Sequence, residues 1–331
     1  MTWKILVTAP PILPKVDLYR DLFAENNAEL LTPDFHVVEC LNAAELKAHL
    51  VDVDAILCGD DELNEDVIRS ANKLKVISKW GTGIDSIDTV AAKACDIEVC
   101  RVVDVFADPL ADTVMAYILS YCRKINEKNA LVRAGDWVKT ESYTPREKAI
   151  GVVGVGHVGS TVVQRAHAFG MKVYVYDRRG ADASMEAKYH CESVSFDTLL
   201  SNSDFISINC DLNETSRHLF SKAAFAKMKS SAMIINTARG AIINEKHLCD
   251  ALINEEIAAA ALDVFEIEPL PSDSPLRQLD NVMLSPHNSN GSPAVFNRVD
   301  QIAISNIFNY LNKTSIAFSE TPAETLQEET N

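Results

Sequence analysis

The sequence is short of basic charge: 31 lysines and arginines stand against 47 aspartates and glutamates in 331 residues, a formal charge of -16. Such a chain repels nucleic acid and anionic membrane surfaces rather than gathering them. It also lacks any run of about 18 uninterrupted apolar residues, the length a spanning helix needs. Met1 to Pro14 carries one lysine and a short apolar run, Ile5 to Val7, which is too short for a signal-peptide core. A cytoplasmic protein is therefore expected. The eight cysteines (Cys40, Cys58, Cys95, Cys100, Cys122, Cys191, Cys210 and Cys249) include no CxxC pair and no metal-ligand spacing. They read as free thiols in a reducing compartment, and no metal site is expected. There is no internal repeat, only two similar halves.

What is present is apolar residue in quantity, 47% of the chain, at a length that suggests two domains. Short apolar runs alternate with segments of helical period. In the first half Ile5 to Val7, Phe35 to Val38, Ala55 to Cys58, Val76 to Ser78 and Ile97 to Cys100 read as strands. Val16 to Asn26, Ala43 to Leu50, Glu65 to Ala71 and Ser86 to Ala94 read as helices between them. A long helix, Leu110 to about Arg133, is taken as the bridge into the second domain. There the strands fall near Ala149 to Val155, Lys172 to Tyr176, Phe205 to Ile208, Ala232 to Asn236, Ile257 to Leu262 and Val282 to Leu284. A helix from about Asn297 to Leu311 returns to the first domain, and Thr314 to Asn331 reads as a loose polar tail. This alternation predicts an α/β protein of two doubly wound parallel-sheet domains.

Gly154-Val155-Gly156-His157-Val158-Gly159 fits GxGxxG, weak on its own but here placed between an apolar strand and a segment of helical period. Gly154 would make the tight turn, Gly156 would let the backbone approach a pyrophosphate, and Gly159 would allow close helix-to-strand packing. The helix N-terminus would face the phosphates. Asp177 ends the next strand about twenty residues later, where a carboxylate accepts hydrogen bonds from a ribose 2'-hydroxyl. The combination points to a Rossmann domain binding NAD, although Arg178 and Arg179 offer charge for the 2'-phosphate of NADP.

Three polar residues follow strand ends in the second domain, where open α/β sheets place their ligands. Arg239, in Asn236-Thr237-Ala238-Arg239-Gly240, has a guanidinium suited to gripping a carboxylate bidentately and polarising a neighbouring oxygen. His287, in Ser285-Pro286-His287-Asn288, has the side chain best matched to proton transfer near neutrality. Glu268, in the segment Asp263 to Pro269, is the candidate to orient that imidazole and support its protonated form. Cation, base and orienter are what hydride transfer from a 2-hydroxy acid requires besides the cofactor.

With these motifs, and with Ser78-Lys79-Trp80-Gly81-Thr82-Gly83-Ile84-Asp85 and Ala111-Asp112-Thr113, the sequence closely resembles the D-isomer-specific 2-hydroxyacid dehydrogenase family. The resemblance implies a discontinuous flavodoxin-like substrate domain (1–101 and 290–331) and a Rossmann NAD-binding domain (102–289), with a cleft between them. It implies that Arg239 binds substrate carboxylate, that His287 is the acid-base group and that Glu268 pairs with it. It further implies that the amides of Thr82 and Gly83 receive the carboxylate, that Asp263 holds the nicotinamide carboxamide, and that His157, Val158, Cys210 and Thr237 touch the cofactor. A homodimer formed through the cofactor domain is also implied. Three departures stand out. Where phosphoglycerate enzymes commonly carry a basic loop after the third strand, this chain has Asp60-Asp61-Glu62, which would oppose a phosphate unless the acids point away, with Lys79 able to compensate. Asp211 stands where proline is frequent, and the regulatory domain of longer phosphoglycerate enzymes is not expected. Two other readings stay open: an NADH-responsive corepressor of similar fold, which would need a peptide-docking surface, and formate or phosphite oxidation.

Overall fold

The computed structural model describes residues 2–180 and 182–313, so the tail expected at Thr314 to Asn331 lies outside the described residues. The chain divides into two compact units. The first runs from Met1 to Val105 and takes up the chain again from Ser292, and the second is Phe106–Gly291.

In the first unit the alternation of elements builds β1 (Trp3–Val7), α1 (Arg20–Glu25), β2 (Ala28–Leu31), α2 (Ala43–His49), β3 (Ala55–Cys58), α3 (Glu65–Ser70), β4 (Val76–Lys79), α4 (Thr89–Ala94) and β5 (Glu98–Arg101). All neighbours pair in parallel in the order β2-β1-β3-β4-β5, the flavodoxin-like arrangement. Central strands β3 and β4 are buried along their whole length, because helices cover both faces and an alternating pattern would leave polar groups in the core. The starts of α2, α3 and α4 are set by Asn42, Asn64 and Asp88, whose side chains accept from N–H groups of the first turn.

Two expectations fail here. Phe35 to Val38 is not a strand: Phe35 and Val38 are exposed, and Val37 alone inserts into the core from a loop. The strand is Ala28–Leu31, an edge strand that among the described residues pairs with β1 alone, so it needs no apolar run and gave little signal. The helix expected at Val16 to Asn26 is a 3-10 turn, Leu13–Tyr19, running into the short α1.

The second unit opens with α5 (Ala107–Arg123) and α6 (Ile125–Ala134), then continues β6 (Ala149–Val153), α7 (His157–Ala168), β7 (Lys172–Tyr176), α8 (Ala183–Tyr189), β8 (Glu192–Ser193), α9 (Phe196–Asn202), β9 (Phe205–Ile208), α10 (Lys222–Phe225), β10 (Met233–Asn236), α11 (Glu245–Ile253), β11 (Ala259–Leu262) and β12 (Val282–Leu284). The sheet is parallel throughout in the order β12-β11-β10-β9-β6-β7-β8. Strand order reverses between β9 and β6, which makes the β6–α7 turn the switch point of a Rossmann sheet. The two-residue β8 carried too little apolar sequence to be foreseen.

Helix α5 packs on α7 and sends Val114, Met115 and Ile118 into the core beneath the sheet, each worth roughly 1.5–3 kcal/mol of burial. The expected single helix to Arg133 is broken: Lys124 is left-handed (φ 51°), and α6 beyond it has no buried residue to hold the same axis.

The last helix, α12 (Pro293–Asn312), follows β12 in sequence but packs on β4, β5 and β3 of the first unit. Its fully buried Asp300 accepts from Tyr19 Oη (2.8 Å) and Trp80 Nε1 (2.7 Å) and pairs with Lys15 Nζ (2.5 Å). A carboxylate is tolerable in that interior only because three donors replace its water. Among the described residues no helix is long and apolar enough to cross a membrane.

Candidate active site

The glycine turn sits at the switch point. Gly154 has φ +86°, and a Cβ there would lie 2.8 Å from the backbone of Cys210; a Cβ on Gly159 would lie 1.9 Å from the Gly154 carbonyl oxygen. Both positions therefore exclude any side chain, and α7 can start hard against β6. Gly156 caps α7 in extended geometry, and its Cβ position faces open space. The first turn carries no acid and no side-chain cap, so it presents N–H groups and positive partial charge to an anion.

Asp177, just past β7, accepts from Val155 N (3.1 Å) and Arg179 N (2.9 Å). Burial acts to raise its pKa, but these hydrogen bonds and the Arg179 charge prevail and hold it below the ordinary carboxylate value. Arg179 Nε lies 3.4 Å from that same carboxylate and Arg178 bonds Thr215 (2.5 Å), so both arginines are engaged locally. A cavity of about 440 Å³ opens beside Asp177, lined among others by Val155, Ser160, Arg179 and Lys188. Thr237 is buried, and its hydroxyl has no hydrogen-bond partner among the described residues, as fits a side chain awaiting a ligand. Cys210 presses its backbone on the glycine turn, and burial pushes its thiol up to about 11, so it is a neutral wall there. His157 and Val158 form the first turn of α7. These features fit a dinucleotide.

The polar residues expected to do chemistry come from three neighbouring strand ends. Arg239 follows β10, on a loop pinned by the buried Asn236: its Oδ1 accepts from Ala238 N (3.1 Å) and its Nδ2 donates to Arg239 O (2.9 Å). Gly240 allows that loop to touch the segment after β11, since a Cβ there would lie 1.9 Å from the Phe265 carbonyl. In that segment Glu268 Oε1 accepts from Phe265 N (2.8 Å), leaving Oε2 for His287 Nδ1 at 2.7 Å. Both side chains of the pair are about three-quarters buried (His287 24% and Glu268 21% exposed), enough to strengthen the interaction.

The family resemblance implied only that Asp263 holds the cofactor. In the structure it holds a loop. Almost wholly buried, it accepts from Asn288 N (2.9 Å) and Ser289 N (3.0 Å), while its carbonyl accepts from His287 N (2.8 Å). His287 itself is left-handed (φ 49°), a conformation that needs such outside support. From α5, Thr113 Oγ1 donates to Ser289 O (3.2 Å), and burial together with the Asp263 charge keeps the Tyr117 phenol raised and neutral. Asn236, Gly240 and Tyr117 were missed as contributors: Asn236 acts through side-chain bonds to the backbone of its own loop, and Gly240 and Tyr117 meet segments distant in sequence.

In the first unit, the Gly81-Thr82-Gly83 turn follows β4. Thr82 Oγ1 donates to Val102 O (2.8 Å), and among the described residues no carbonyl accepts from the Thr82 or Gly83 N–H. Lys79, also at the end of β4, pairs with Asp60 (2.9 Å).

A Rossmann sheet with an open glycine turn, a carboxylate at the end of its second strand and a carboxylate-bound imidazole is the arrangement of nicotinamide-dependent dehydrogenases. Comparison with known proteins narrows this. Residues 115–289 match the D-isomer specific 2-hydroxyacid dehydrogenase NAD binding domain. The chain is 34% identical over 312 residues to glyoxylate/hydroxypyruvate reductase B of Klebsiella pneumoniae subsp. pneumoniae, covering 90% of this chain and 95% of the relative. Among solved structures it resembles a glyoxylate reductase from Paecilomyes thermophila (TM-score 0.80, 25% identity, 96% and 98% of the two chains). It also resembles an NAD-dependent formate dehydrogenase from Staphylococcus aureus in complex with NAD (TM-score 0.83, 25% identity, 96% and 97%). The chain belongs to the D-isomer-specific 2-hydroxyacid dehydrogenase family; it is an oxidoreductase with NAD as cofactor.

Replacing Asp263 by Asn turns one acceptor into a donor facing an N–H, a mismatch of about 1–3 kcal/mol at the loop. Amide hydrogen exchange at Asn288 and Ser289 should quicken, and turnover at saturating NADH should fall at least tenfold. Unchanged protection at both amides would show that the loop is held by other contacts.

Proposed function

We propose that this enzyme interconverts a small D-2-hydroxy acid and its 2-oxo acid, with hydroxypyruvate or glyoxylate as the substrates to test first. The observation that carries the reading is the 2.7 Å Glu268–His287 contact at the mouth of the cofactor sheet, on a loop neighbouring Arg239. The carboxylate accepts a hydrogen bond from Nδ1–H and so keeps that proton on Nδ1, which leaves the neutral ring presenting Nε2 as a base. In oxidation Nε2 removes the proton of the C2 hydroxyl, and Glu268 offsets the charge the ring acquires; in reduction the same proton is delivered to the C2 oxygen. Arg239 grips the substrate carboxylate and polarises the C2 oxygen, lowering the barrier where negative charge develops. Bound NAD supplies the hydride acceptor. The residues we assign to hold it are Gly154, Gly156, His157, Val158, Gly159, Asp177, Cys210, Thr237 and Asp263. In the first unit, Lys79 and the amides of Thr82 and Gly83 are assigned to the substrate. The relatives named as reductases of glyoxylate and hydroxypyruvate support this choice of substrates.

Mixing the protein with NADH and hydroxypyruvate, glyoxylate or pyruvate, and following loss of nicotinamide absorbance, tests the reading. His287→Ala should lower turnover by a factor of about 10² or more. Arg239→Ala should raise KM for the acid, through the lost carboxylate grip, and lower kcat, through the lost polarisation of the C2 oxygen. Wild-type rates in the His287 variant would overturn its role. NADH binding by the wild-type protein, with no turnover of any 2-oxo acid, would favour the corepressor-like reading.

We also propose a homodimer formed through the second unit, in the cytoplasm. Helix α6 has no buried residue, and Ile125, Val132, Trp137, Val138 and Tyr143 lie exposed along one stretch, with Trp137 84% exposed. So much apolar surface suits a second copy of the chain. The eight free cysteines suit a reducing compartment. Sedimentation should give a dimer at micromolar concentration and a monomer for Trp137→Glu/Val138→Lys; a monomeric wild type would contradict the assignment.

A further inference from the structure

The three acids after β3 have three different fates. Asp61 is fully buried and accepts from Thr8 Oγ1 (2.5 Å), Leu41 N (2.7 Å) and Gly59 N (3.0 Å), so it staples the loops after β1, β2 and β3. Glu62 turns to the start of α2, accepting from Ala43 N (3.1 Å) and Asn64 Nδ2 (3.0 Å). Asp60 meets Lys79: Oδ1 lies 2.9 Å from Nζ. Cys58 and Lys79 are register partners at the ends of β3 and β4, which is what brings the pair together. The ammonium also lies at the foot of the Gly81-Thr82-Gly83 turn, 3.8 Å from the Cβ position of Gly81.

The ends of this pair differ in access. The Lys79 side chain is 3% exposed and that of Asp60 is 35% exposed. At distances beyond their separation the two charges nearly cancel, and the carboxylate is the more exposed end of the pair. An arriving anion therefore meets the carboxylate before the ammonium. The cation that could have compensated for the acidic loop is already neutralised within that loop.

We propose that Asp60 is a specificity-determining residue: paired with Lys79, it makes the enzyme select 2-oxo acids with an uncharged C3 substituent over those bearing a phosphate. The proposal rests on the reading above that the Gly81–Gly83 turn receives the substrate. A neutral hydroxymethyl or hydrogen at that end loses nothing beside the pair, whereas a phosphate dianion is repelled by Asp60 and gains little from Lys79.

The test compares kcat/KM for hydroxypyruvate and 3-phosphohydroxypyruvate with NADH in the full chain. The wild type should favour the unphosphorylated acid by at least tenfold. Asp60→Asn, with Asp60→Ser as a second variant in case the first folds poorly, should raise kcat/KM for the phosphorylated acid about tenfold. The gain should come through KM, shrink at high salt, and vanish in Asp60→Asn/Lys79→Met. A wild type preferring the phosphorylated acid, or variants that change both substrates by the same factor, would overturn the proposal while leaving the dehydrogenase reading intact. Absence of turnover in the wild type with these two acids and with glyoxylate and pyruvate would overturn that reading, and the proposal with it.

Discussion

The buried carboxylate of Asp263 is the constraint on which the reactive end of the second unit depends. A charge in that interior is tolerable only if donors replace its water, and the donors here are the amides of Asn288 and Ser289. Meeting that need fixes the loop after β12, and with it the left-handed backbone of His287. The imidazole can then reach Glu268 without choosing among rotamers at the moment of reaction. Precise placement at a strand end is what the proposed acid-base role of His287 requires.

A second constraint runs sideways across the sheet. Parallel strands deliver their loops to one edge, but only close packing makes those loops act together. Gly240 lets the loop carrying Arg239 rest on the backbone at Phe265, and the Phe265 amide in turn holds Glu268. Adding one methyl group at Gly240 would push the guanidinium loop away from the segment that orients the imidazole. At the other side of the switch point Gly154 and Gly159 do the same for the cofactor turn.

Much of this was legible in the sequence. Strands buried on both faces announced themselves as apolar runs, and the glycine spacing with Asp177 marked the turn at β6. Arg239, Glu268 and His287 stood out because each follows a strand end of the second domain, where open α/β sheets place their ligands. What escaped was set by tertiary contacts or by weak local pattern. The edge strand Ala28–Leu31 has a single partner among the described residues and little apolar signal, and the helix break at Lys124 reflects the end of a buried face rather than a helix-breaking residue. The acidic loop could be read as a departure, but not that Asp61 is swallowed by the core while Asp60 claims Lys79.

The central claim is that Glu268 fixes the proton of His287 on Nδ1 and leaves Nε2 for the substrate. Nitrogen-15 NMR of the histidine side chains in the wild-type enzyme reads this directly. The account predicts that neutral His287 carries its proton on Nδ1 and that only Nε2 titrates. A neutral ring protonated on Nε2 with a bare Nδ1 would contradict it.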